Sequence, residues 1–130
     1  MQHLDTSTVV AYLRGHRQVA ENLDNCLPDV AISAVVLAEL LYGARVSLRP
    51  EENIEHLRKF ATLVEVVSFD HTCAEAYSHL RAALRRLGRP AGKTDMLTAA
   101  AALAQDATLV THNTRHFEAI PGLRVVDWIA

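Results

Sequence analysis

Short runs of branched apolar residues alternate along the chain with longer stretches in which apolar positions recur every three or four residues. The short runs predict strands at 3–5, 30–32, 64–67, 108–111 and 124–126, since β-branched side chains suit a pleated surface. The longer stretches predict helices at 7–14, 17–26, 34–46, 51–62, 70–87 and 94–105. Strands separated by helices are the pattern of crossover connections in a parallel sheet, so one α/β domain over residues 1–130 is expected. No repeat, low-complexity run or linker breaks the alternation.

In an open parallel sheet, ligands bind in the crevice beyond the carboxyl ends of the strands. Asp5 closes the first predicted strand, and Thr111-His112-Asn113-Thr114 follows the fourth. Ser33 follows the second and is placed to cap the helix that carries Glu39. Asp5 can be an ordinary helix-start acid, with Thr6, Ser7 or Thr8 as the cap, or an acid of a site. Glu39 has Val35, Val36, Tyr42 and Gly43 as its helical neighbours, so it lies either on apolar surface or at a cleft. Asp95 falls in the first turn of an alanine-rich helix with Thr94 as its expected cap.

Together the three acids acquire a consequence. Two carboxylates ~4 Å apart repel by about 4 kcal/mol at an effective dielectric near ~20, so a converging trio needs protons or a cation. Oxygen ligands favour magnesium or manganese. Gly92-Lys93-Thr94 looks like the end of a phosphate-binding P-loop, but the earlier glycine the pattern needs is Leu87, and Gly88 comes one step late.

Composition narrows the picture without deciding it. Half the residues are hydrophobic and 22% are charged, which is ordinary for a globular domain. A formal net charge of -2 gives no whole-molecule attraction to nucleic acid, so a polyanion site needs a local basic patch. Arg81, Arg85, Arg86, Arg89 and Lys93 gather before Asp95, and Arg115 follows Asn113. Such a run is either a solvated helix face or a set of phosphate contacts. Cys26 and Cys73 form no paired motif, and neither a targeting segment nor a membrane-length apolar run is read, so a soluble cytoplasmic protein is expected.

Four segments carry a family resemblance: Leu4-Asp5-Thr6-Ser7; the stretch Ile32-Ser33-Ala34-Val35-Val36-Leu37-Ala38-Glu39-Leu40; Gly88-Arg89-Pro90 with Lys93-Thr94-Asp95-Met96-Leu97-Thr98-Ala99-Ala100; and Leu109-Val110-Thr111-His112-Asn113-Thr114-Arg115-His116-Phe117. In this order they resemble the PIN-domain ribonucleases, and more narrowly the VapC-type toxins of bacterial toxin–antitoxin pairs. The similarity extends to the closing Pro121-Gly122-Leu123-Arg124-Val125-Val126-Asp127-Trp128.

The resemblance implies a three-layer α/β/α PIN-like domain with a central parallel sheet and a Mg2+- or Mn2+-dependent endoribonuclease activity. Asp5, Glu39 and Asp95 fall on its core acids and metal ligands. Asn113 stands where many relatives carry a fourth acid; its amide can orient water but supplies no charge, which puts two-metal chemistry in more doubt than one-metal chemistry. Ser7 and Thr111 are candidate supporting hydroxyls, with His116 beside them; helix cap and strand hydroxyl are the plain alternatives for the first two. Arg85, Arg86, Arg89, Lys93 and Arg115 are the candidate RNA contacts. The family also implies a homodimer and a small antitoxin over the acidic cleft, for which residues 35–48 and 54–63 offer apolar surface.

Other classes fit less well. A non-catalytic RNA- or protein-binding module on the same scaffold is motivated by Asn113. Zinc held by His112 and His116 lacks a third ligand, and a phosphoacceptor receiver lacks the acidic pair beside Asp5.

Overall fold

The first strand stops where an aspartate turns the chain into a helix. In the computed structural model, which describes residues 1–130, β1 (Gln2–Leu4) is followed by α1 (Thr6–Leu13), and the Asp5 carboxylate between them accepts from the Thr8 amide. Side-chain oxygens at this position satisfy one of the amides that a helix start leaves unpaired. The cap is thus Asp5 itself rather than one of the hydroxyls after it, and the strand ends one residue earlier than the pattern predicts. The same logic shortens the fifth helix, where Asp70 caps α5 (His71–Arg86) through the Cys73 amide.

Between these lie α2 (Arg17–Cys26), β2 (Val30–Ser33), α3 (Ala34–Arg45), α4 (Pro50–Ala61) and β3 (Glu65–Val67). Ser33 caps α3 as expected, accepting from the Val36 amide at 3.2 Å. After α5 come α6 (Lys93–Ala104), β4 (Thr108–Val110), a 3-10 turn at Thr114–His116 that the sequence pattern does not show, and β5 (Arg124–Val126). α6 begins at Gly92 without a side-chain cap, so Thr94 sits inside the helix and does not cap it.

The five strands form one parallel sheet in the order β3-β2-β1-β4-β5. From β1 the chain moves outward to β2 and β3, then returns past β1 to β4 and β5. The order therefore reverses between β1 and β4, the place where open parallel sheets leave a crevice at their carboxyl edge.

Strand alternation divides the core in two. Leu4, Val30, Ile32 and Val110 face Val9, Leu23, Val36, Leu57 and Phe60 of the first four helices. Leu109 faces the other way, toward Leu80 and Leu84 of α5, Met96 and alanines of α6, and Phe117. The three-layer α/β/α arrangement follows. Ala99, Ala100, Ala101 and Ala102 are all 0% exposed, because α6 packs against α5, α3, β2 and β4 at once. A helix enclosed on every side has no polar face, and small side chains let its neighbours approach closely.

His3, on the α6 side of β1, is 2% exposed and donates from Nε2 to Gln105 Oε1 at 2.8 Å. Burial pushes its pKa below the ordinary 6.5, and the Gln105 contact offsets only part of that. The unfolded chain binds this proton more readily, so the His3 contribution to stability is complete above 6.5 and is lost as pH falls through the lower folded value. Urea midpoints compared between about pH 7.5 and about pH 5 are expected to fall more steeply for the native chain than for His3→Gln. Equal slopes would remove His3 as the cause.

Candidate active site

At the β1–β4 reversal, the Asp5 amide donates to Val110 O at 3.0 Å, joining the two strand ends. Asp5 is 5% exposed, and a buried carboxylate is tolerable only when hydrogen-bonded. Its Oδ1 accepts from Ser7 Oγ at 2.6 Å and from the Thr8 amide at 3.2 Å, while Oδ2 accepts from Thr111 Oγ1. Each hydroxyl is itself held from behind. Ser7 Oγ accepts from the His112 amide at 3.1 Å, and Thr111 Oγ1 accepts from the Asn113 amide at 3.0 Å. Groups more than a hundred residues apart in sequence thereby fix one carboxylate.

Asp95 occupies the first turn of α6, where the helix dipole favours an anion. Its Oδ2 lies 3.1 Å from His116 Nδ1 on the turn after β4. The carboxylate lies over Gly92, where a Cβ would make ordinary contact with Oδ2 at 3.5 Å. Arg89, Arg115 and His116 share its cleft of about 580 Å³. Asn113, between Thr111 and this turn, is exposed.

Glu39 is also exposed. It lines a second recess, of about 460 Å³, with Thr6, Val10, Leu40, Gly43 and His56. Thr6, in its lining, is the residue next to Asp5, whereas Asp95 and His116 line the other cleft. Glu39 and Asp95 thus line different recesses, and no three His, Cys, Asp or Glu side chains come together as a metal-ligand set.

The cations divide. Arg81, Arg85, Arg89 and Lys93 surround a groove of about 430 Å³ that shares the 88–91 loop with the Asp95 cleft. Arg86 departs from the expected set: it lines a different recess with Ala76, Leu103 and Pro121, because it follows Arg85 by one helical position and leaves α5 on another side.

A family model for the PIN domain matches residues 3–123. The chain is 36% identical over 126 residues to the tRNA(fMet)-specific endonuclease VapC of Salmonella typhimurium and 40% identical over 128 residues to Ribonuclease VapC2 of Rickettsia felis, in each case covering 96% of both proteins. The chain belongs to the VapC-type PIN-domain ribonucleases. The fold of this PIN domain also matches the crystal structure of DNA-bound VapBC from Salmonella typhimurium, with a TM-score of 0.94, 35% identity and coverage of 98% of this chain and 97% of that one.

Within this PIN domain the two histidines of the Thr111–His116 segment serve different partners. His116 meets Asp95, whereas His112 Nδ1 meets Asp127 Oδ2 at 3.1 Å, so they form no shared zinc pair. Burial works to raise the Asp127 pKa, but the Ile129 amide, His112 and the Ala130 amide together hold it below the usual range. The receiver reading fails as well, since Asp70 is the α5 cap. Asp127 carried no signal in the sequence beyond its place after the last strand. No helix is long and apolar enough to cross a membrane.

Thr111→Val keeps the shape of the side chain and removes the donor to Asp5 Oδ2. Chemical denaturation is expected to show a loss of about 1.5–3 kcal/mol, the range for a hydrogen bond to a charged group. An unchanged midpoint would mean that Asp5 does not depend on this hydroxyl.

Proposed function

We propose that this PIN domain is a divalent-cation-dependent endoribonuclease that acts as the toxin of a toxin–antitoxin pair. The observation that carries the site assignment is the single buried carboxylate, Asp5, held by Ser7 and Thr111 at the crevice of the sheet. Asp5, Glu39 and Asp95 would hold Mg2+ or Mn2+. Their oxygen-only donors fit a hard cation, and such ions keep several waters and need few direct carboxylates. Asp5 Oδ2 accepts only from Thr111 and keeps lone-pair capacity for a cation, whereas Oδ1 is already filled by Ser7 and Thr8. When bound, the cation supplies Lewis acidity that activates water and offsets charge on the phosphodiester.

The chain's own residues have separate tasks in this reading. Ser7 and Thr111 keep Asp5 in one orientation, and His116 does the same for Asp95. Asn113 offers a neutral amide that orients water, and with no fourth charge the site favours one cation over two. Arg85, Arg89, Lys93 and Arg115 neutralise phosphates of the RNA on both sides of the 88–91 loop. Arg86 is left out of that track.

An antitoxin protein is the expected partner, since the Salmonella relative of known structure is a VapBC complex. Its seat is the margin of the Glu39 recess. Ile54, Leu57 and Phe60 of the apolar stretches belong to the core, whereas Tyr42, Val46 and Leu48 stand largely in solvent at the end of α3. Exposed apolar side chains this near one another in sequence suit a protein partner, whether antitoxin or a second copy in the homodimer.

Purified protein is expected to cleave structured RNA in Mg2+ or Mn2+ and to stop on addition of chelator. Asp5→Ala and Asp95→Ala should each reduce cleavage by about 100-fold or more; full activity in either variant would overturn the assigned centre. A second prediction separates the cations. Replacing Arg85 and Arg89 with alanine should flatten the log–log salt dependence of single-stranded RNA binding by about 1.4, at about 0.7 per phosphate contact, whereas Arg86→Ala should leave it unchanged. Equal effects from all three would return the run to a nonspecific basic face.

A further inference from the structure

Ser7 has one hydroxyl proton, and it goes to Asp5 Oδ1 at 2.6 Å. What aims it there is the His112 amide, which donates to Ser7 Oγ at 3.1 Å and leaves Asp5 as the direction for the proton. That amide follows the fully buried Thr111 and opens an exposed segment between β4 and the 3-10 turn. Two links hold the segment to β5. The Thr111 amide donates to Val126 O at 2.9 Å, and His112 Nδ1 donates to Asp127 Oδ2 at 3.1 Å. Asp127 is a firm anchor: its side chain is 17% exposed, and its other oxygen accepts from the amides of Ile129 at 2.8 Å and Ala130 at 3.3 Å.

We propose that His112 and Asp127 are positioning residues of the acidic centre: their contact fixes the His112 amide, the amide sets Ser7, and Ser7 sets the Asp5 carboxylate. The proposal rests on Asp5 being a cation ligand of the site. The path runs from the end of β5 across the β4 loop to the first turn of α1, so it joins the sheet edge to the buried acid through side chains that touch neither cation nor RNA in this reading. Half-exposed ion pairs add little to folding stability, and the His112 side chain is 53% exposed. Its effect should therefore appear in the centre rather than in the unfolding midpoint.

The test measures Mn2+ binding to the purified chain by titration calorimetry, alongside kcat and KM on RNA and thermal unfolding. Groups that orient a metal ligand typically govern affinity by about 10- to 100-fold, and one step further out a loss of about five- to tenfold is expected for His112→Ala and for Asp127→Ala. His112→Gln, whose amide can still meet Asp127, should retain most of the affinity. In a Ser7→Ala background, His112→Ala should produce no further loss, because the path is already cut. Wild-type affinity in His112→Ala, or an undiminished loss when Ser7 is absent, overturns the proposal. Loss of the fold in His112→Ala also overturns it, since the contact would then be structural. If the unaltered chain fails to bind Mn2+, the cation-binding reading of Asp5 falls together with this one, an outcome distinct from binding that His112 does not influence.

Discussion

A single buried negative charge constrains this molecule more than any other feature. Taking a carboxylate out of water costs several kcal/mol unless donors replace the hydration it loses, by the usual figures of about 1–3 kcal/mol for each unmade contact and more for a charge. Asp5 receives its donors from two places, Ser7 and Thr8 just after it and Thr111 at the end of β4. Only a sheet that sets β4 directly beside β1 can provide the second group. The strand order and the satisfaction of Asp5 are thus two aspects of one requirement, and the crevice at the reversal of strand order is where both are met.

The alanines of α6 answer to the same requirement from the opposite direction. For Asp95 to reach the carboxyl edge, its helix must start there and run down the sheet to feed β4. That path is enclosed by α5, α3 and two strands, which leaves room for methyl groups and little else. A polar side chain along Ala99 to Ala102 would be buried without a partner. Asp95 stands in the first turn of the helix, which remains accessible. An acid at the mouth of an otherwise apolar helix is what such a route produces.

Periodicity was sufficient to place every strand and α-helix, because each has a stripe or run that only one local geometry can bury. Boundaries shifted by a residue where caps compete with strand ends, as at Asp5, and where glycine starts a helix without a side-chain signal, as at Gly92. Strand order left no trace in local pattern, since parallel neighbours share no short-range code. The reversal between β1 and β4 was therefore invisible in the chain's order, and Thr111 stood out as a supporting hydroxyl only beside the family resemblance, without Asp5 as its named partner. Side-chain direction was equally hidden for Arg85 and Arg86: adjacency in sequence means about 100° of separation around a helix, enough to send them to different recesses. The apolar margin behaved similarly, with Leu57 turned inward and Val46 outward although both sit in hydrophobic stretches.

Charge completes the picture. A net value of -2 describes a chain without strong long-range attraction to a polyanion, yet opposite signs are sorted within it. Acids stand along the carboxyl edge, while Arg81, Arg85, Arg89 and Lys93 fill a groove on the far side of the 88–91 loop. Gly88 makes that separation possible: at a φ of +65° it ends α5 in the left-handed conformation that glycine adopts without a Cβ penalty, and the Arg89 amide returns to Leu84 O at 2.9 Å. The chain then turns sharply enough for the basic groove and the Asp95 cleft, which Arg89 and Arg115 also line, to share one short wall. An anionic strand crossing this wall would meet cations before it meets carboxylates, so repulsion from Asp95 is offset on approach without an excess of positive charge elsewhere on the surface.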